Sequence, residues 1–424
     1  MKKLKSLAKI VVAAAFLSIA ITGCSLLFPE DSNGTNGSNS SKQTDSDNPI
    51  KGPLTVEETW PGKDDAGNSI TYFINETYLI QNGGSLTIQE GAIVKFGSNG
   101  GIKVNNQTIT ANGVIFTSWR DPRGRKINTA GTAEPAPGDW KQIYIYGGVA
   151  KFTNCEFSYG GSSSSTVEVV KGSNNILGKA RIDSCSFKNN FGSKSIPDRD
   201  TGVKAALKYG SSCVYDKDKN CVTNTNFENN VWPVSMPADF YISGTNTFSG
   251  NEYEFVYINY YAIKDATTWD YISIPYLFSD NDTLKINANA TLTINGGNKE
   301  GVDKSTLVTT VCFVNGGLHI NENGTLKVNG YVKFTNNPKN PEIEFTGIEC
   351  YTYRKWSSSG SDLNRTVKLI SNSSTNPDDE NYFNVTVEHF QETGKYATDA
   401  ANAEQYRRPI QQTNNYDAFY YKYN

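Results

Sequence analysis

Few residues in this sequence could do chemistry, and they are scattered. The 424 residues include seven cysteines and only two histidines. His319 and His389 are far apart, and neither has metal-ligand spacing around it. His319 alternates with Leu318 and Ile320, as a solvent-facing strand residue does. The close acidic pairs are "PDRD" (Asp198, Asp200) and "YDKDKN" (Asp216, Asp218). "DKDKN" opens like a Ca²⁺ loop, but Cys221 stands at the required Gly and Phe227 at the required Glu. It reads as a solvated turn. Cys213 and Cys221 flank that turn, and a disulfide between them would contribute roughly 2–3 kcal/mol. The stretch "WRDPRGRKINTAGTAEPA" sets Arg120, Arg123, Arg125 and Lys126 against Asp121 and Glu134. That is too few oxygen ligands for a hard cation. It reads as a solvated basic loop, with a weak contact to an anionic glycan as the functional alternative. No G-x-S-x-G motif or placeable Ser–His pair occurs, and no Gly-Gly pair precedes a helix. The expectation is no catalytic residue, no metal and no cofactor.

The N-terminus carries a different signal. Lys2, Lys3, Lys5 and Lys9 precede an apolar run from Ile10 to Ile21, too short to span a bilayer, and "ITGC" follows. Small residues before a Cys at the end of such a run mark a processing site. The quartet resembles the lipobox of bacterial lipoproteins. The resemblance implies a signal peptide over 1–23 and acylation (palmitate-type) of Cys24, hence a membrane partner reached through an N-terminal lipid. Cleavage there removes four Lys and no acid, taking the formal net charge of -3 further negative. A mildly acidic chain without a dense basic run is a poor nucleic-acid binder. The six remaining cysteines would sit in an exported, disulfide-permissive compartment. Residues 24–53 are rich in Ser, Asn, Asp and Gly and read as a disordered tether.

The elements that must position everything else are short strands. Leu86 and Ile88, Ile93 to Phe96, Ile102 and Val104, and Val114 to Phe116 form alternating runs broken by Gly and Asn turns. "YLIQNGGSLTIQEGAIVKFGSN" recurs 198 residues later as "YLFSDNDTLKINANATLTINGG". "TNCEF" at Thr153–Phe157 returns as "DSCSF" at Asp183–Phe187 and "TNTNF" at Thr223–Phe227, with an echo at Thr245–Phe248. Repeated short strands without hairpin turns describe a solenoid of parallel strands. Phe157, Phe187, Phe227 and Phe248 then form one inward stack. Cys155 and Cys185 lie in one ladder as free, buried thiols. Glu156 aligns with Ser186 and Asn226, so no column gathers two acids. Trp140 is expected to start a strand. "EFVYINYYAI" (Glu254 to Ile263) is apolar on both faces and calls for a cover, which the C-terminal region could supply. The tail "YDAFYYKYN" reads as a last strand covering an open end.

The segments "GGSLTIQEGAIVKFGSNGGIKVNNQTITANGVIFTS", "PAPGDWKQIYIYGG" and "FTNCEFSYGG" resemble bacterial surface proteins of the right-handed parallel β-helix, or pectate lyase-like, superfamily. The expected fold is all-β, a right-handed single-stranded parallel β-helix (solenoid) over 54–340. Residues 341–424 form a β-rich continuation or cap. The superfamily includes lyases, hydrolases and adhesins, so the fold alone does not decide function. The expectation is a monomeric cell-envelope lipoprotein, at the outer membrane or cell surface. It would be non-catalytic and bind a glycan or a host or envelope protein. The alternative is a polysaccharide lyase or glycoside hydrolase of the same fold. The pairing of Cys312 and Cys350 is left open.

Overall fold

The computed structural model describes residues 49–127, 133–194, 202–278, 283–297 and 300–302, then mainly strands between 309 and 421. Cys24, Asp198, Asp200 and His389 lie outside the described residues.

Four-residue strands recur wherever apolar residues alternate. Ser85–Ile88 buries Leu86 and Ile88, and Ile143–Tyr146 buries Ile143 and Ile145. Such runs are too short for a helix and bury one face, so they need a neighbour of the same pattern. They find it in parallel, three strands further along the chain. Glu57–Trp60, Ser85–Ile88, Thr108–Asn112, Val149–Thr153, Lys179–Asp183 and Cys221–Thr223 make a first sheet. A second sheet runs in order from Thr71–Ile74 through Ile93–Phe96, Ile115–Ser118, Glu156–Ser158, Ser186–Lys188 and Asn226–Glu228 to Thr247–Ser249. A third begins with Thr77–Ile80, Gly101–Asn105, Ile143–Tyr146, Val167–Val170 and Leu207–Tyr209 and continues to Val385–Val387. The chain therefore visits the three sheets in turn. Beyond residue 260 two new sheets open with Ala262–Ile263 and Ala266–Trp269, while the third continues. The segment that repeats the early sequence supplies their next strands, Thr283–Ile286 and Thr291–Asn295. Among the described residues, one 3₁₀ turn, Ser173–Asn175, is the only helical element.

The corners and the core explain the repeated motif. Asn154, Ser184 and Asn224 adopt φ of 53°, 55° and 51° between the first and second sheets. That left-handed backbone suits Asn. The next inward residues but two are Phe157, Phe187 and Phe227, fully buried and stacked 4.7 and 5.1 Å apart. Phe116 extends the column on one side and Phe248 on the other. Each ring contributes about 1.5–3 kcal/mol by burial, and each stacked pair about 0.5–1.5 kcal/mol more. At the next corner Asn190, Asn230 and Asn251 form a buried amide ladder. Asn190 Nδ2 donates to Asn230 Oδ1 at 2.9 Å, and Asn230 Nδ2 to Asn251 Oδ1 at 3.1 Å. Each amide also donates to a Phe carbonyl one turn back, so the ladder is satisfied.

Three expectations are corrected. Trp140 does not begin a strand, because the strand starts at Ile143. Its indole fills the core instead, stacked 4.4 Å from Phe96, with Nε1 donating to Ser158 O. Cys213 and Cys221 carry free thiols, not a disulfide. Cys213 Sγ lies 3.2 Å from Val169 O on the neighbouring strand, and Cys221 Sγ lies 3.2 Å from Lys217 O in its own turn. Finally, Phe255, Tyr257 and Leu277 are covered by Val203, Ala205, Trp232 and Tyr253, an upstream layer. The tail strand Ala418–Tyr421 pairs antiparallel with Val367–Ser371 at the edge of the fifth sheet. Cys155 and Cys185 are free and buried, as the ladder predicts.

Candidate functional site

The outward residues of the second sheet fall into two rows fixed by register. One reads Thr71, Ile93, Ile115, Glu156, Ser186, Asn226, Thr247; the other reads Phe73, Lys95, Thr117, Ser158, Lys188, Glu228, Ser249. Glu156 aligns with Ser186 and Asn226, as expected. The basic loop after Ser118 returns over these rows. It is not the solvated loop that its charge suggested, since Asp121 is 4% exposed and Ile127 is buried.

Lys95 holds the loop from below. It is fully buried and its Nζ donates to Asp121 O at 2.6 Å and Arg125 O at 2.9 Å. Thr117 Oγ1 donates to Asp121 Oδ2 at 2.7 Å. The Arg123 guanidinium spans both carboxylates. It donates to Asp121 Oδ2 at 2.7 Å and to Glu156 at 2.6 and 3.1 Å. Arg125 N donates to Thr71 Oγ1. Gly124 permits that approach: its φ is +68°, and a Cβ there would lie 2.6 Å from Thr71 Oγ1. Arg120 pairs with Asp139 at 2.9 Å, and Asp139 also accepts from Ser118 Oγ and Ala136 N. The two ends of the excursion are thus tied together.

The electrostatics follow from burial. Desolvation pulls the Lys95 ammonium from its ordinary value to about 8; the Asp121 carboxylate opposes this and Arg123 adds to it. Burial raises the Asp121 carboxyl, but hydrogen bonds from Arg123 and Thr117 more than offset it, leaving it below the usual carboxylate range. Burial and the Asp121 charge push the Tyr159 phenol up. A general base needs a lone pair open to substrate. Here both carboxylates are spent on one guanidinium, and the amine is spent on two carbonyls. The arrangement is a structural clamp.

The other singled-out residues sit apart. Asp216 and Asp218 form a closed turn in which Asp216 Oδ1 accepts from Asp218 N at 3.0 Å. Strand Gly317–Ile320 places His319 opposite Lys285 in register. Cys350 pairs in register with Leu318, and Cys312 is buried in the third sheet. Among the described residues, no three His, Cys, Asp or Glu side chains gather as a metal site, and no helix is long and apolar enough to cross a membrane. The Arg123–Glu156 clamp was missed in the sequence; the only signal for it was the ladder register that already put Glu156 on this face. No protein-family profile matches the chain, and neither a curated protein nor a solved structure matches it.

Proposed function

We propose that this chain is a lipid-anchored protein of the bacterial cell envelope whose sheet faces bind a glycan or a host or envelope protein without transforming it. Its fold in this reading is a right-handed parallel β-helix of the pectate lyase-like kind. Strands that visit three sheets in rotation, each paired in parallel three strands on, support that fold. The "ITGC" leader supports the anchor at Cys24.

One observation carries the binding role. The acids projecting from the central strands each meet a cation of the chain itself. Glu156 meets Arg123 at 2.6 Å, Glu168 meets Lys208 at 3.0 Å, Asp183 meets Arg181 at 2.9 Å and Glu228 meets Lys188 at 3.9 Å. Lyase chemistry needs carboxylates free to hold a cation, and glycoside hydrolysis needs two free to exchange protons. Faces with matched charges suit recognition instead. The test is incubation of the full chain with polygalacturonate, alginate, glycosaminoglycans and neutral glucans, with and without Ca²⁺, following unsaturated products and reducing ends. Saturable binding without product release is expected. Catalytic release would establish the lyase or hydrolase alternative.

A further inference from the structure

The outer face of the third sheet carries a group of side chains that the clamp does not use. Strand Ile143–Tyr146 turns Ile143 and Ile145 inward, which leaves Tyr144 and Tyr146 outward. Their rings lie 5.8 Å apart at 28°. Register places Lys103 beside Tyr144 and Asn105 beside Tyr146. Lys103 Nζ rests 4.9 Å from the Tyr146 ring centroid and 5.8 Å from that of Tyr144. Glu168 and Lys208 follow in the same row, already paired with each other.

This face is incomplete in a chemically specific way. Among the described residues, Lys103 has no carboxylate partner, and neither phenol hydroxyl has a hydrogen-bond partner. Asn105 Oδ1 and Gln142 Oε1 are shielded from water and have no donor. An unmatched buried acceptor is disfavoured, and an ammonium over aromatic rings is only half satisfied. The missing partner must supply several hydroxyl donors, one negative charge and a flat apolar face. Resting on the binding role proposed above, we infer that Lys103, Asn105, Gln142, Tyr144 and Tyr146 form a binding subsite for an acidic sugar unit of a glycan. The anion meets Lys103, the hydroxyls meet the two amide oxygens, and the sugar's C–H face meets the tyrosine rings.

The test is titration of the purified full-length chain in detergent with oligogalacturonate, sialyllactose, a sulfated neutral oligosaccharide, uncharged lactose and a short poly-glutamate peptide. Carboxylated sugars should bind, more weakly at high salt, and lactose should bind least. The sulfated probe shows whether the anion must be a carboxylate. Lys103→Met and, separately, Tyr146→Ala should each weaken binding at least about tenfold. Lys151→Met, on the exposed face of the first sheet, should not. Unchanged circular dichroism in the mildly altered Lys103→Met separates lost recognition from lost fold. Acidic-sugar binding that survives both variants would overturn this subsite while sparing the binding role. No binding to any acidic sugar, or tighter binding of poly-glutamate, would also overturn it.

Discussion

Lys95 offers a direct readout of the clamp. Its ammonium is fully buried and held near pKa 8, against 10.5 for an ordinary lysine. Between those values the unfolded chain binds a proton that the folded chain has released. Stability must therefore rise with pH through this window and level off below about 8, where both states are protonated. The full difference corresponds to about 3 kcal/mol, and about 2 kcal/mol of it develops between pH 7.5 and 9.5. Tyr159 acts in the opposite sense but only near and above the ordinary tyrosine value of about 10, so that interval isolates Lys95. The assay is urea unfolding followed by tryptophan fluorescence at several pH values, for the chain and for Lys95→Met. The difference in slope is the quantity that counts, because the variant also removes donors from two loop carbonyls. The unaltered chain should gain about 2 kcal/mol more than Lys95→Met over the interval. Parallel pH profiles would refute the placement of a charged lysine beneath the loop.

Two further outcomes follow from the same geometry. Arg123→Met strands the Asp121 and Glu156 carboxylates and should destabilise by about 2–3 kcal/mol at neutral pH, less than for a wholly buried pair because Arg123 is partly exposed. Asp121 is held below the usual carboxylate range, so its stabilisation is present above pH ~4 and fades on acidification; the measured penalty should shrink towards pH 3. Phe187→Ala removes the ring stacked between Phe157 and Phe227 and should cost about 3–5 kcal/mol in the same unfolding experiment.

Local pattern made the strands and the Phe column legible. Alternation is a two-residue signal, and the Asn-Cys-x-Phe unit carries both its corner and its inward ring, so the register of Phe157, Phe187 and Phe227 could be read directly. The clamp was hidden because it joins Lys95, Thr117, Arg123 and Glu156, which periodicity does not link. Four basic residues in one loop suggested solvent, whereas their partners came from the sheet below. Cys213 and Cys221 looked like a bridge because they are close in sequence, but their thiols point to carbonyls of different turns. Trp140 continued the alternation of its strand by residue type alone, while its size was used to fill the space over Phe96.

The account rests on display of these faces from a membrane, and the acylation state of Cys24 tests this most directly. Cells producing the chain would be fed a clickable fatty acid, and the chain and its Cys24→Ala variant then compared for label and for membrane or soluble fraction. The account predicts label and membrane retention for the chain, and neither for the variant. An unlabelled chain, or a variant that stays in the membrane fraction, would contradict it.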